Sequence, residues 1–241
     1  MNGQTMRHVS CHQLQIDFNT EQKEFIKAPL EDAKLLGIPG GGKTTTIIYK
    51  IIHLHALKEI NSPREYIVLT FSRKACKDFI LKGNAIDKNK FNNNNCKTFH
   101  SLSGTLIQTL LKRSCNSLQT TIISAINVIK INITDDIKKV KILSELKVII
   151  VDEAQDMSDI QYELVSSLKN KLGCKLILVG DPNQNIYQFQ NGSDKYLMEY
   201  TGKAYFLKEN NRSTPEIISF LISFRQFNDN FPAMTSIRKS L

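Results

Sequence analysis

Leu35–Thr46, LLGIPGGGKTTT, is the stretch whose residue types and spacing point most directly to chemistry. Gly37 to Thr44 satisfies G-x-x-x-x-G-K-[ST], with Gly37, Ile38, Pro39, Gly40, Gly41 and Gly42 forming a loop that closes on Lys43 and Thr44. In such a loop the backbone N–H groups cradle phosphates at a helix N-terminus. Lys43 reaches the terminal phosphates and the Thr44 hydroxyl ligates Mg²⁺. Glycine clusters also mark ordinary turns, but the context the motif requires is present. An apolar strand precedes it, and Ile47, Ile48, Ile51 and Ile52 follow at helical spacing. The chemistry indicated is the binding of a nucleoside triphosphate.

A second constellation is VIIVDEAQD, in which an apolar strand delivers Asp152 and Glu153 to its carboxyl end. Ligands of open α/β sheets bind just outside those strand ends, so the two carboxylates fall beside the phosphate loop. Asp152 suits Mg²⁺, usually through water, and Glu153 suits the general base that polarises an attacking water. An acidic pair after a strand also serves as a helix cap and first-turn charge, and only the upstream loop favours the catalytic reading. A third strand, LILVGDPNQNIYQF, places Asp181 and Gln184 at the same edge. A neutral amide cannot act as a base, but it can hydrogen-bond a γ-phosphate and report its loss to the segment that follows. That segment carries Tyr187 and Phe189, rings on which unpaired bases could stack or which could equally be core.

The elements that must hold these residues alternate along the chain. Strands are expected at Ala33–Gly37, Tyr66–Phe71, Val148–Asp152 and Lys175–Gly180, several of them continuous apolar runs of the kind buried on both faces. Helical periodicity fits Lys43–Leu57, Arg73–Leu81, Ser101–Lys112, Leu118–Ile129, Asp136–Leu146 and Asp159–Leu172. That alternation predicts an α/β fold, a parallel sheet with helices on both faces. The polar run Asn89–Cys96 reads as a loop or short insertion.

Composition bounds what such a fold does. The chain has 241 residues, 41% of them hydrophobic, enough for one α/β domain and part of another. A net charge of +9 and a pI near 9.2 suit a polyanion partner, nucleic acid being the usual one. The five cysteines, Cys11, Cys76, Cys96, Cys115 and Cys174, are odd in number and lack C-x-x-C spacing, which fits reduced thiols inside a cell rather than a disulfide frame or zinc ribbon. His8, Cys11 and His12 have no second ligand cluster, so no metal site is expected there. No apolar run approaches the length of a membrane span, and no signal-peptide pattern opens the chain, so the expectation is an intracellular protein, cytoplasmic or nuclear, away from membranes.

Taken in order, these motifs resemble the N-terminal part of a UvrD/Rep-type superfamily 1 DNA helicase, a P-loop NTPase with a RecA-like sheet. FNTEQ, Phe18–Gln22, is similar to the family's adenine-recognition motif, which implies an adenine contact by Gln22. GIPGGGKT resembles motif I, VDEAQD motif II and VGDPNQNIYQF motif III, with Gln184 as γ-phosphate sensor and Phe189 as a base-stacking aromatic. VLTFSRKACKDF and KTFHSL resemble motifs Ia and Ib, implying single-strand contacts by Thr70, Phe71, Thr98 and His100. KENNRSTPEII resembles motif IV, which makes Arg212 a γ-phosphate contact. The cofactors implied are ATP and Mg²⁺, with Thr44 and Asp152 on the metal, and the partner is single-stranded or partly duplex DNA.

Departures from the family pattern are as specific as the matches. Thr45 stands beside the nucleotide where the family commonly has an arginine packed on adenine, and Asn211 replaces a stacking tyrosine, so base selectivity should be weakened. About 50 residues separate His100 from Asp152, so the usual accessory domain is expected to shrink to a few helices near 103–146. The resemblance divides the chain into a first RecA-like domain, 1–205, and the beginning of a second, 206–241. Motifs V and VI would come from a missing C-terminal region or a second chain, including an arginine worth about 10³ to 10⁵ in rate in related phosphoryl transfers. The family implies ATP-driven movement along one strand, 3′ to 5′. A hydrolysis-deficient nucleotide- and DNA-binding module is the competing reading, and a P-loop kinase acting on small molecules a third.

Overall fold

A computed structural model describes residues 17–88, 90–112, 117–184, 194–223 and 235–236. Six strands form one sheet: β1 (Ala33–Gly37), β2 (Tyr66–Thr70), β3 (Cys96–Thr98), β4 (Val148–Val151), β5 (Lys175–Gly180) and β6 (Lys203–Leu207). Their order is β3-β2-β4-β5-β1-β6, and every pairing is parallel. All six carboxyl ends therefore lie along one edge, where ligands of this architecture bind. The strands are buried on both faces, which is why VIIV and LILV read as unbroken apolar runs.

Two hydrophobic clusters cover the faces. One packs α1 (Thr20–Lys27), α2 (Lys43–Ala56) and α3 (Arg73–Ile86) through Phe25, Ile47, Ile51, Cys76 and Phe79. The other packs α4 (Phe99–Leu111), α5 (Leu118–Ile131), α6 (Thr134–Lys138) and α7 (Asp159–Leu172) through Leu102, Leu106, Ile122, Ile126, Leu164 and Leu168. The short region between Ib and II thus contributes α5 and α6 to the main core. The remaining elements are α8 (Lys195–Glu199), a two-stranded pair β7 (Glu209–Asn210) and β8 (Thr235–Ser236), and α9 (Pro215–Ile222).

Three elements differ from the sequence-based expectation. The helix expected over Asp136–Leu146 ends at Lys138 and continues as tight turns, Val140 N–H to Ile137 O, Leu143 N–H to Val140 O and Leu146 N–H to Leu143 O. The buried residues Ile137, Val140, Leu143 and Leu146 recur every third position, a 3.0 period that suits i→i+3 turns rather than a 3.6-residue helix. The polar run 89–96 ends in β3, where Asn95 is buried and its amide spans Asn92 N–H (2.9 Å) and Lys90 O (2.6 Å). Asparagines there do the work of turns rather than filling a structureless loop. Strand β6 was also not anticipated; it carries Leu207 alongside Gly37 and so braces the start of the phosphate loop.

Candidate functional site

The phosphate loop begins where β1 ends and its last glycine, Gly42, precedes α2. Gly40 and Gly42 adopt φ of +71° and +82°, a region that disfavours side chains. A Cβ on Gly42 would also lie 2.8 Å from Gln22 Nε2, and one on Gly40 2.8 Å from Arg212 Cβ. A Cβ on Gly37 would meet Lys43 Cγ at 2.7 Å. The loop is a cradle with no spare volume on its inner side. Lys43, 9% exposed, donates from Nζ to Gly37 O at 3.1 Å, a bond within the loop itself that a phosphate oxygen can replace.

Strand β4 brings the carboxylates to the same place. Asp152 is buried, and Thr44 Oγ1 donates to Asp152 Oδ2 at 3.4 Å. A hydroxyl and a carboxylate this close are the hard oxygen donors Mg²⁺ takes, so the residues present fit that cation. Burial, and next the neighbouring Glu153 carboxylate, push the Asp152 acid up to about 6, against the pull of Lys43. A bound divalent cation would favour the ionised form. Glu153 is exposed and sits at φ +56°, a left-handed conformation that is unusual for glutamate and turns the chain sharply after the strand. A cavity of about 310 Å³ opens here. Its lining includes Ile38, Gly40, Gly42, Lys43, Thr44 and Thr45 from the loop and α2, with Glu153, Asn211 and Arg212 facing them.

Two residues that carried no assigned role in the sequence hold this arrangement together. Gln155, 2% exposed, accepts from Asp181 N–H at 3.1 Å and donates to Glu153 Oε2 at 3.1 Å, joining the β4 turn to the end of β5. Gly180 makes room for it, since a Cβ there would sit 2.4 Å from Gln155 Oε1. Asn210 donates to Pro39 O at 2.7 Å and accepts from the N–H groups of Arg212 (2.8 Å) and Ser213 (2.7 Å). It therefore clamps the arginine segment onto the phosphate loop. The signal available for Asn210 was its residue type ahead of a turn, which is too common to single it out.

The other expected site residues divide. Gln22 and Gln184 do not line the cavity. Gln22 lies beneath the loop, its amide donating to Gly41 O at 3.2 Å while its oxygen accepts from Asn19 N–H within the α1 capping box. Gln184 donates to Asp181 Oδ2 at 2.7 Å, and Asp181 and Gln155 link it in turn to Glu153. At the ends of β2 and β3, Thr70 is 2% exposed and its hydroxyl engages Ser72 O (3.2 Å) and Cys76 Sγ (2.9 Å). Phe71 packs on Phe99 with ring centroids 5.3 Å apart. Thr98 caps α4 by accepting from Ser101 N–H at 3.2 Å. His100 Nε2 is buried with no hydrogen-bond partner among the described residues. Tyr187, Phe189 and the His8–Cys11–His12 group lie outside the described residues.

Comparison with known proteins bears on this geometry. A family model described as an AAA domain matches residues 22–190. Protein R568 of Acanthamoeba polyphaga mimivirus, named as an ATP-dependent DNA helicase, is 33% identical over 210 residues, 84% of this chain and 30% of that protein. The mitochondrial ATP-dependent DNA helicase HMI1 of Saccharomyces cerevisiae is 24% identical over 269 residues, 79% of this chain and 38% of its own length. DNA helicase II of Haemophilus influenzae is 35% identical over 75 residues, 30% of this chain and 10% of that protein. The chain thus spans about a third of the length of the first two relatives. Among the described residues no helix is long and apolar enough to cross a membrane.

Proposed function

The chain belongs to the AAA domain family, as an N-terminal domain of the UvrD/Rep-type superfamily 1 DNA helicases, and on that footing we propose that it binds Mg-ATP and single-stranded DNA. Hydrolysis would drive 3′ to 5′ movement once a second RecA-like domain, beginning near residue 206 and supplying motifs V and VI, completes the cleft. The observation that carries this reading is the meeting of Thr44 and Asp152 at 3.4 Å, beside Lys43 and across the cavity from Arg212. Residues far apart in the chain converge there on a volume built for an anion and a hard cation.

In this reading Lys43 exchanges the Gly37 carbonyl for phosphate oxygens, and the loop N–H groups take the rest of the charge. Thr44 and Asp152 hold the metal, which would neutralise phosphate charge when bound. Glu153 faces the cavity, oriented by the Gln155 amide, and accepts a proton from the attacking water. Arg212 is held against the loop by Asn210, aimed at the terminal phosphate. Adenine contact by Gln22 requires its amide to leave Gly41 O, whereas Thr45 and Asn211 face the cavity without a flat surface for a base. DNA would cross the ends of β2 and β3, with an intracellular location following from that substrate.

Steady-state ATP hydrolysis with and without single-stranded DNA tests the proposal. DNA-stimulated turnover is expected, and Glu153→Gln should lower it by about 10² to 10⁴ while leaving nucleotide binding intact. Retained turnover in that variant would remove Glu153 from its role. Tight DNA binding with no turnover in the full-length protein would favour a regulatory binding module over a motor.

A further inference from the structure

Between α3 and β3 two cysteines meet that neither the motif chemistry nor the nucleotide cavity uses. Cys76 lies in the first turn of α3 and Cys96 opens β3, and both belong to the same hydrophobic cluster. Strands β2 and β3 pair so that Cys96 stands beside Val68 and Thr98 beside Thr70. Alternation along a strand puts Val68 and Thr70 on one face, with Cys96 on the same face of the neighbouring strand, and Cys76 and Phe79 of α3 pack over it. Thr70 Oγ1 meets Cys76 Sγ at 2.9 Å, and Cys96 Sγ donates to Cys76 O at 3.7 Å. We propose that Cys76 and Cys96 form a dithiol site that a hydroperoxide oxidises to a reversible disulfide, with Cys76 the sulfur attacked first and Cys96 the one that resolves it.

The order follows from the surroundings of each sulfur. Cys76 is 8% exposed and Cys96 3%, so Cys76 is the one nearer solvent. Arg73, Lys74 and Lys77 stand exposed around it on the same stretch of helix, the electropositive, marginally accessible setting that activates a thiol. The hydrogen bond from the Cys96 thiol, and then the Thr70 hydroxyl and the Lys97 charge, hold the Cys76 thiol below its ordinary value against the effect of burial. Its neighbour is pushed the other way by the same contact and by burial, so Cys96 keeps its proton. Thr70 has one hydroxyl hydrogen, which serves either Ser72 O at 3.2 Å or a Cys76 thiolate.

The chemistry balances with a hydroperoxide as the oxidant. Cys76 sulfur attacks its terminal oxygen, the O–O bond breaks, and Cys76 becomes a sulfenic acid while an alcohol, or water from hydrogen peroxide, departs. Cys96 sulfur then attacks the sulfenic sulfur. The S–O bond breaks, and the hydroxide leaves as water with the Cys96 proton. Two thiols have lost two electrons and two protons to one peroxide, and a dithiol reductant reverses the change. Cys174, buried with its thiol pushed up to about 11, has neither feature and serves as an internal reference.

Hydrogen peroxide added to the full chain, followed by thiol blocking with N-ethylmaleimide, tryptic digestion and mass spectrometry, tests this. Trypsin cuts at Lys77, Lys82 and Lys88, between the two cysteines. The expected product is one linked pair of peptides carrying Cys76 and Cys96, lighter than their sum by two hydrogens and abolished by dithiothreitol. Before oxidation Cys76 should react with iodoacetamide at least about tenfold faster than Cys174. Cys96→Ser should leave a sulfenic acid at Cys76 that dimedone captures, and Cys76→Ser should leave Cys96 reduced. A thermal midpoint equal to the parent's shows that each variant is folded, and where one is not, the linkage map of the parent decides alone. Both thiols still blocked by N-ethylmaleimide after peroxide would overturn the proposal. So would linkage of Cys76 to Cys11 or Cys115, or dimedone capture at Cys96 in folded Cys76→Ser.

Discussion

The phosphate end of the molecule and its proposed DNA edge share one sheet, yet they present their side chains in opposite ways. Around the loop, functional groups face open volume: Lys43, Thr44, Glu153 and Arg212 line the cavity, and their neighbours Asp152, Gln155 and Asn210 are buried behind them. At the ends of β2 and β3 the side chains turn inward, Thr70 to Cys76, Phe71 to Phe99 and Thr98 to its own helix. An anion of fixed shape rewards a preformed cradle. A strand of any sequence rewards contacts to its backbone, which main-chain groups and helix N-termini can supply while the side chains fix their position. His100 is the exception on the DNA side, with a buried nitrogen and no partner among the described residues.

The sharpest way to break this contrast is Gly42→Val. It forces a β-branched residue into φ +82° and pushes a Cβ to 2.8 Å from Gln22 Nε2. We expect at least about 1 kcal/mol of lost stability and a still larger loss of ATP affinity, because the N–H groups of the cradle move with the loop. Single-stranded DNA binding in the absence of nucleotide should persist, read by fluorescence anisotropy. Simultaneous loss of both ligands in a folded variant would mean the two regions are one site.

A smaller effect separates the hydrogen-bonded side chains from His100, whose buried nitrogen has no partner among the described residues. His100→Ala should weaken single-stranded DNA about fivefold, the worth of one hydrogen bond, with ATP affinity unchanged. Thr70→Val removes a hydroxyl bonded to Ser72 O and should cost about 1 kcal/mol in unfolding free energy while leaving DNA affinity alone. Reversal of that pattern, with Thr70→Val harming DNA binding and His100→Ala harmless, would place the Thr70 hydroxyl on the nucleic acid.

The same contrast explains what could be read without coordinates. The main strands and the cradle were legible because their signals are local: continuous apolar runs, glycines at fixed offsets, a carboxylate just past a strand. The ends of α1 and β7 were not, since Gln22 acquires its bond to Gly41 O and Asn19 its bond to Glu209 only when the sheet brings the termini together. Strand β3 follows a run of asparagines whose composition reads as a loop or short insertion, and only its pairing with β2 reveals it. Gln155 and Asn210 were missed because bridging two loops is a property of distance, and no spacing rule encodes it.

The last prediction concerns what lies under both regions. Lys50, 1% exposed in the middle of α2, donates to Ala28 O and to Pro29 O (3.3 Å) and lies 5.5 Å from the Phe25 ring, tying the helix that carries the loop to α1. Burial brings its ammonium down to about 8 from 10.5, partly resisted by Glu59 and Glu31 and assisted by Lys203. A folded value below the unfolded one means that between these two limits the unfolded chain holds a proton the folded chain has released, so this residue adds stability as pH rises from about 8 toward 10.5. Buried Tyr66 and Tyr200, both held above the ordinary phenol value, oppose it by losing stability once free tyrosine ionises near 10. The comparison therefore belongs at pH 7.5 and 9.5, roughly either side of the lower limit and short of full phenol ionisation. Urea unfolding should show the parent gaining stability over that interval relative to Lys50→Met, which has no ammonium to discharge. Equal pH slopes in the two proteins would mean that the two carbonyls keep Lys50 charged in the fold, and that the strut between α1 and α2 is an ion held by dipoles throughout.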